Sequence, residues 1–108
     1  MRKLAHALSL TFLTAIASPP LLADEDTKAC AMYADMAKNI MEGRQGGISM
    51  AEMMEIAGKS DIIKDISEEM VIQAYEYPRY NTERYKRRTA EDFRDQWYLI
   101  CIKARRAE

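Results

Sequence analysis

Two cysteines near opposite ends of the chain constrain its fold more than any other feature. Cys30 and Cys101 are the only cysteines among 108 residues. A disulfide between them would close a loop over most of the chain, which chain-entropy arguments value at about 4 kcal/mol. Two free thiols, or half of a metal site, are the alternatives. We expect the disulfide if the protein is exported, because oxidising compartments favour it.

The N-terminus has the layout of a secretory signal peptide. Two basic residues precede an apolar run of 14 residues, from Leu4 to Ala17, and two prolines and the segment LLA follow before Asp24. A transmembrane helix needs roughly 20 apolar residues, so a retained anchor is the weaker alternative. The sequence predicts a signal peptide over residues 1–23, cleaved after Ala23 or Ala17, export to the periplasm, and no stable membrane anchor after cleavage.

The rest of the chain, residues 24–108, is expected to form one small helical domain. It holds 14 basic and 17 acidic residues and no histidine, because His6 lies in the leader. A domain of this size buries only about 60–65% of its unfolded surface, so a covalent staple is expected. A tetrahedral soft-metal site needs three or four cysteine or histidine ligands. The sequence therefore predicts no metal site at the cysteines.

The first helix is predicted from apolar residues that recur from Cys30 to Met41 at intervals of three and four. The carboxylates of residues 24–26 are expected near its N-terminus, where the helix dipole favours negative charge. Gly46 or Gly47 is expected to end it with a left-handed conformation.

The stretch RQGGIS is predicted to join the first helix to a short second one. Ser49 and Glu52 have the spacing of a capping box with Ser49 as N-cap, and Ile48 and Met53 are placed for a hydrophobic staple. Gly58 is expected to end this helix. Capping chemistry therefore explains the break in the chain without a ligand.

Two further helices complete the predicted fold. The third is expected to begin at Ser60 or Asp61 and to stop before Pro78, and a restart at Ser67 is left open. Its apolar stripe comprises Ile62, Ile63, Ile66, Met70, Ala74 and Tyr77. The last is expected to begin at Asn81 or Thr82, with a stripe of Ala90, Phe93, Trp97, Ile100, Cys101 and Ala104.

No segment alternates with the period of a strand. We therefore predict an all-α fold, a small three- to four-helix bundle stapled by one disulfide. Cys30 and Cys101 would meet at one end of the bundle if the first and last helices are antiparallel.

Four features together resemble a known type of protein. They are a cysteine opening the first helix, RQGG at the joint, QAYEYPRY at the end of the third helix, and a phenylalanine and a cysteine in the last helix. In these features the chain resembles small exported helical proteins with one cysteine pair found in proteobacterial genomes and prophages, over residues 30–101. The resemblance implies a periplasmic helical domain with one disulfide. It implies no activity and no catalytic or binding residue.

Seven methionines follow the leader, and they suggest two interpretations. Met32 and Met36, and likewise Met50 and Met53, are spaced to share a helix face. Thioethers are soft ligands, so a methionine-based Cu(I) binder is one alternative function. Filling of the core is the interpretation we favour, because methionine suits irregular gaps and the histidine that often completes a copper site is missing. We predict no cofactor.

Charge is unevenly distributed along the chain. Residues 24–78 hold 5 basic and 12 acidic residues, whereas residues 79–106 hold 9 basic and 4 acidic. The acidic half can pack against the basic half. Interleaved tyrosines and arginines would suit single-stranded nucleic acid, but export argues against that partner. The spacing i,i+4 also predicts ion pairs on a solvated helix face. The pairs with this spacing are Glu83–Arg87, Arg87–Glu91 and Arg88–Asp92.

Tyrosines and arginines cluster around Pro78, and residues of these two types are enriched at interface hot spots. We predict that this connector contacts a periplasmic protein partner. The candidate partner-binding residues are Tyr77, Arg79, Tyr80, Arg84, Tyr85 and Arg88. A connector that merely packs on the bundle is the alternative, as is a basic patch for an anionic partner or membrane surface.

Catalysis has no support in this sequence. After the leader there is no histidine, no Gly-x-Ser-x-Gly, no phosphate loop and no Cys-x-x-Cys, and the carboxylates have ordinary helix-surface spacing. We therefore expect a non-enzymatic periplasmic binding or interaction protein. An acid-stress periplasmic chaperone is the alternative, and its acid response would have to come from carboxylates.

Overall fold

The computed structural model describes Thr11 and residues 20–107, with side chains of the second range from Asp24 onward. The predicted signal peptide, residues 1–23, falls almost entirely outside this range, so the leader and its cleavage site stay predictions. The described chain contains four helices and no strand, which confirms the all-α prediction. They are α1 (Pro20–Gly46), α2 (Met50–Ala57), α3 (Lys64–Tyr75) and α4 (Glu83–Arg106).

The first and last helices form the main pair. α1 packs chiefly against α4, α3 packs on α1, and α2 packs on α3. Cys30 and Cys101 are joined by a disulfide, with their Cα atoms 5.4 Å apart. Because Cys30 lies in the N-terminal half of α1 and Cys101 in the last turns of α4, the two helices are antiparallel. The predicted disulfide is confirmed, and so is the antiparallel arrangement of α1 and α4 that it requires.

One apolar core unites the four helices. Phe93, Met41, Met70 and Val71 are its largest fully buried apolar side chains. Burial of a side chain of this size stabilises the fold by about 1.5–3 kcal/mol. The complete cluster comprises Ala37, Ile40, Met41, Met53, Ala57, Met70, Val71, Ala74, Ala90, Phe93 and Trp97.

The joint between α1 and α2 follows the predicted capping chemistry. Gly47 has a φ of 95° and is the left-handed residue after α1. The Glu52 backbone N–H donates to Ser49 Oγ at 3.2 Å, which satisfies a free N–H of the first turn. Ile48 and Met53 both pack over Gly43, where a Cβ atom would collide with the Met53 side chain. The glycine within α1 therefore makes room for the staple.

The expected N-termini of α1 and α3 were wrong. α1 begins at Pro20, so residues 24–26 follow its first turn and no acidic residue lies in that turn. α3 begins only at Lys64, and Ile63 precedes it without any side-chain cap. Residues 61–63 form turns instead of helix. Neither Ser60 nor Asp61 therefore caps α3.

The buried face of α3 is also rotated relative to the predicted stripe. Its buried residues are Ser67, Met70, Val71 and Ala74, whereas Ile62 lies before the helix and is 94% exposed. The Ser67 hydroxyl donates to Met36 Sδ at 3.2 Å. α3 runs without interruption from Lys64 through Ser67 to Tyr75, so there is no restart at Ser67.

Ion pairs join the acidic first half of the chain to the basic last helix. Arg94 Nε contacts Asp35 Oδ1 at 2.7 Å, and Arg105 Nη1 contacts Asp26 Oδ1 at 2.9 Å. The hydrogen bond to Asp35 raises the pKa of the Arg94 guanidinium. Pairs that are open to solvent contribute little to stability. Both pairs are consistent with the antiparallel arrangement of α1 and α4.

None of the described helices is long and apolar enough to cross a membrane.

Candidate interaction surface

The connector between α3 and α4 is locked to the joint between α1 and α2 through one buried side chain. Gln45 is only 2% exposed. Its Nε2 donates to the Pro78 carbonyl at 2.8 Å, and its Oε1 accepts from the Tyr80 backbone N–H at 2.8 Å. The amide thus satisfies one donor and one acceptor of a chain segment that lacks regular structure. Sequence reasoning missed this role.

Two arginines cross between the same segments in opposite directions. Arg44 donates from Nε and Nη2 to the Tyr77 carbonyl at 3.2 and 3.1 Å. Arg79 Nε donates to the Gln45 carbonyl at 3.1 Å. A Cβ atom on Gly47 would lie 3.0 Å from the Arg79 guanidinium, so glycine provides the space for it. The motifs RQGG and YPRY therefore form a single interlocked unit.

The tyrosines of the connector complete this unit. The Tyr75 hydroxyl donates to the Ile48 carbonyl at 2.6 Å, while Arg44 lies 5.0 Å above its ring. Burial raises the Tyr75 pKa, and the positive charge of Arg44 partly opposes that shift. The Tyr77 ring meets Phe93 edge-on at 5.6 Å, and its hydroxyl donates to Gln96 Oε1 at 2.9 Å.

The structure divides the six candidate partner-binding residues into two groups. The Tyr77 hydroxyl and carbonyl and Arg79 Nε are used in hydrogen bonds within the chain, although the Arg79 side chain is exposed. Tyr80 is half-buried, with its ring 6.0 Å from that of Tyr85. Arg84, Tyr85 and Arg88 lie exposed on the first two turns of α4, Tyr85 with 53% of its surface accessible. The second group, which includes Tyr80, remains the candidate surface.

The arginines of this surface lack the ion pairs that their spacing predicted. None of the three predicted i,i+4 pairs brings a side-chain nitrogen within 4.0 Å of a carboxylate oxygen. Within residues 83–92, the one ion pair joins Lys86 Nζ to Glu83 Oε1 at 4.0 Å. Arg84, Arg87 and Arg88 are exposed and make no ion pair within residues 24–107. We define Tyr80, Arg84, Tyr85, Arg87 and Arg88 as the basic tyrosine patch.

A polar cleft borders the patch between α1 and α4. It has a volume of about 370 Å³, and its floor includes Gly46 and the buried Ala90. Arg87 forms part of its wall. The charged lining holds three basic and three acidic residues, Lys38, Glu42, Glu83, Lys86, Arg87 and Glu91. This balance of charges does not select an anion by itself.

The methionines are mostly used for packing. Met41, Met53 and Met70 belong to the core, as the core-filling interpretation predicts. Met36 is half-buried and accepts the Ser67 hydrogen bond, whereas Met32 is exposed. Met36 and Met53 also line an open apolar groove of about 370 Å³ between α1 and α2. Among residues 24–107 there is no group of three His, Cys, Asp or Glu that could hold a metal ion.

Comparison with protein-family models, with curated proteins and with solved structures gives no match for this chain.

Proposed function

We propose that the protein is a non-enzymatic periplasmic interaction protein that binds an acidic partner protein through the basic tyrosine patch. One observation carries the proposal: Arg84, Arg87 and Arg88 are exposed in the first turns of α4 without a carboxylate partner among residues 24–107, and Tyr85 is exposed in the same turns. Arginine and tyrosine supply the contacts that dominate many interfaces. Unpaired arginines attract a surface of opposite charge.

The position of the patch supports this role. The patch begins within the unit formed by RQGG and YPRY and continues directly after it. The first turns of α4 are therefore attached to a segment that hydrogen bonds hold in place. The Thr82 hydroxyl accepts from the Tyr85 backbone N–H at 3.3 Å and caps the helix. A surface that is ordered before binding loses less entropy when the partner arrives.

The disulfide supports export, because such bonds persist in oxidising compartments. The resemblance to small exported proteins with one cysteine pair points in the same direction. The signal peptide proposed over residues 1–23 would direct the chain to the periplasm. Detection of the processed chain in the periplasmic fraction, with an N-terminus at Asp24 or Ser18, tests this part.

Capture from periplasm with the tagged protein tests the partner. We expect an acidic protein to be recovered, and less of it as salt rises, because salt screens surface charge. The double variant Arg84→Glu and Arg88→Glu should lose recovery. The matched control is Lys28→Glu with Lys59→Glu, which makes the same change of charge at exposed sites elsewhere and should retain recovery.

Equal loss of partner recovery in both double variants would show that only net charge matters. That result would contradict the proposal that the patch binds the partner. Equal recovery in both would place the interface elsewhere. Tyr85→Ala adds a test that leaves charge unchanged, and we expect it to weaken recovery. Circular dichroism and the thermal midpoint should stay near the unmodified values, because all of these side chains are exposed.

An acid-stress chaperone is the second candidate, and the ion pairs between α1 and α4 favour it. Loss of both pairs in acid would free α1 from α4 along their exposed sides, while the disulfide would keep the two helices tethered. Loss of the carboxylate charges would leave the basic residues unopposed, which favours expansion. Client aggregation at about pH 2–3, where carboxylates are protonated, tests it. No protection at that pH and none at neutral pH would eliminate this candidate.

A further inference from the structure

A second surface lies at the other end of α4, beside the disulfide. It is an open groove of about 310 Å³ between α3 and α4, with Tyr33 of α1 contributing to its lining. Apart from Arg105, its lining is apolar or aromatic and comprises Tyr33, Ile66, Trp97, Ile100, Cys101 and Ala104. No residue of the basic tyrosine patch takes part.

The groove exists because α3 and α4 both pack on α1 but scarcely on each other. One isoleucine of each wall is left open to solvent as a result. Ile66 on α3 is 39% exposed, and Ile100 on α4 is 44% exposed. Ile100 belongs to the stripe that the sequence predicts as core. The two exposed isoleucines therefore lie on either side of one small apolar groove.

The two walls carry opposite charge along their exposed sides. On the α3 wall, Asp65 and Glu69 flank Ile66 and are exposed. On the α4 side, Lys103 lies one turn after Ile100 and is exposed, and Arg106 is exposed in the last turn of the helix. None of these four residues takes part in an ion pair within residues 24–107. An acidic wall and a basic wall thus face solvent on either side of one apolar groove.

We infer that the groove binds a second copy of this chain in a twofold dimer. A twofold axis places the same surface patch of each copy against that of the other. The acidic α3 wall of one copy then meets the basic α4 wall of the other, twice over. Ile66 and Ile100 of each copy fill the opposite groove. A partner of a single charge sign would match one wall and repel the other.

Sedimentation of the purified, disulfide-bonded chain over a range of concentrations tests the dimer. We expect the mass to rise from one chain to two, and the fluorescence of Trp97, the only tryptophan, to change along the same curve. Ile100→Glu should remain monomeric at every concentration. Ile56→Glu is the matched control on α2, at an isoleucine that is 49% exposed and outside the groove, and it should dimerise normally.

Reversal of the charges on one side of the groove gives the decisive test of the dimer, because it alters only exposed residues. Asp65→Lys with Glu69→Lys makes both walls basic, and Lys103→Glu with Arg106→Glu makes both walls acidic. Each variant alone should be monomeric. An equimolar mixture should regain the mass of two chains with at least tenfold tighter association than either variant alone.

A wild-type chain that stays monomeric at its highest soluble concentration would overturn the inference. So would a dimer that survives Ile100→Glu, or charge variants that fail to recover when mixed. The Arg84 and Arg88 variants of the proposed function should still dimerise, so the two surfaces can fail independently.

Discussion

The two ends of the α1–α4 pair are held together by different kinds of interaction. At one end a disulfide joins Cys30 to Cys101, and an open apolar groove remains beside it. The indole N–H of Trp97 is buried there without an acceptor in the described residues. At the other end no covalent bond exists, and Gln45 pairs with both Pro78 and Tyr80. One end is held by a covalent bond and the other by the hydrogen bonds of one buried side chain, Gln45.

A disulfide and a hydrogen-bond network place different demands on the packing around them. A covalent bond holds the helices together even if the surrounding packing is incomplete, so the groove beside it can stay open. A buried polar network stabilises a fold only if each of its members is paired, because an unpaired buried group costs about 1–3 kcal/mol. The network end should therefore be more sensitive to single side-chain changes that keep volume.

Removal of the disulfide should have the largest effect. The pair is separated by 71 positions in sequence, and a loop of that length corresponds to about 4 kcal/mol in the chain-entropy treatment. We expect the double variant Cys30→Ala and Cys101→Ala to lose about that much unfolding free energy in urea. Wild type under reducing conditions should match the variant. A loss below about 1 kcal/mol would contradict the constraint.

Gln45→Leu should be the most damaging single change at the network end. Leucine nearly keeps the volume but leaves the Pro78 carbonyl and the Tyr80 N–H without partners, which should cost about 3 kcal/mol in urea unfolding. Gln73→Leu is the matched control, because Gln73 bonds only to Glu69 on the exposed side of α3. The control should change stability by less than about 0.5 kcal/mol. Equal effects at both glutamines would refute the role of Gln45.

Gly47→Ala should destabilise by about 1–2 kcal/mol, because its φ of 95° is unfavourable for alanine and its Cβ would crowd Arg79. Gly46→Ala is the neighbouring control. It lies in α1 with nothing within 4 Å of its Cβ position, so it should gain about 0.5–1 kcal/mol from helix propensity. Thermal unfolding compares the two, and shifts of the same sign would contradict this assignment.

Tyr75→Phe should have the smallest effect at neutral pH, a loss of about 1 kcal/mol for one hydrogen bond. Its pH dependence is more informative. Because the folded-state pKa lies above the ordinary value of 10.0, Tyr75 stabilises fully below that pH and progressively less as pH rises through the folded pKa. Urea unfolding across that range should show wild type converging toward the phenylalanine variant. Parallel curves would exclude titration of Tyr75 as the cause.

Features with a local cause were predictable from the sequence. Ser49, Thr82 and Gly47 act as caps or turn residues because of chemistry within a few positions of each. The disulfide and the all-α fold followed from cysteine number and helical spacing. These inferences need no knowledge of which helices touch.

Features that depend on tertiary contacts were not predictable in this way. The sequence gives no sign of the role of Gln45 beyond its place in the RQGG motif, because its partners lie more than 30 positions away. Ile62 and Ile100 have helical spacing yet are exposed, since α3 starts late and leaves the groove open. The arginines of α4 have ion-pairing spacing, but exposed pairs gain too little to fix long side chains. Arg79 is exposed, as its sequence context suggests, but its Nε has a partner, the Gln45 carbonyl, that lies 34 positions away.

The pairing of α1 with α4 has a consequence for how the chain is made. Synthesis proceeds from the N-terminus, so α1 emerges first and its main packing partner emerges last. Until about residue 100 has left the ribosome, only α2 and α3 can cover α1, and the apolar face that will meet Phe93 and Trp97 stays open. A nascent chain exposes such surface to aggregation and to chaperones. Completion of this fold therefore has to wait until α4 has emerged.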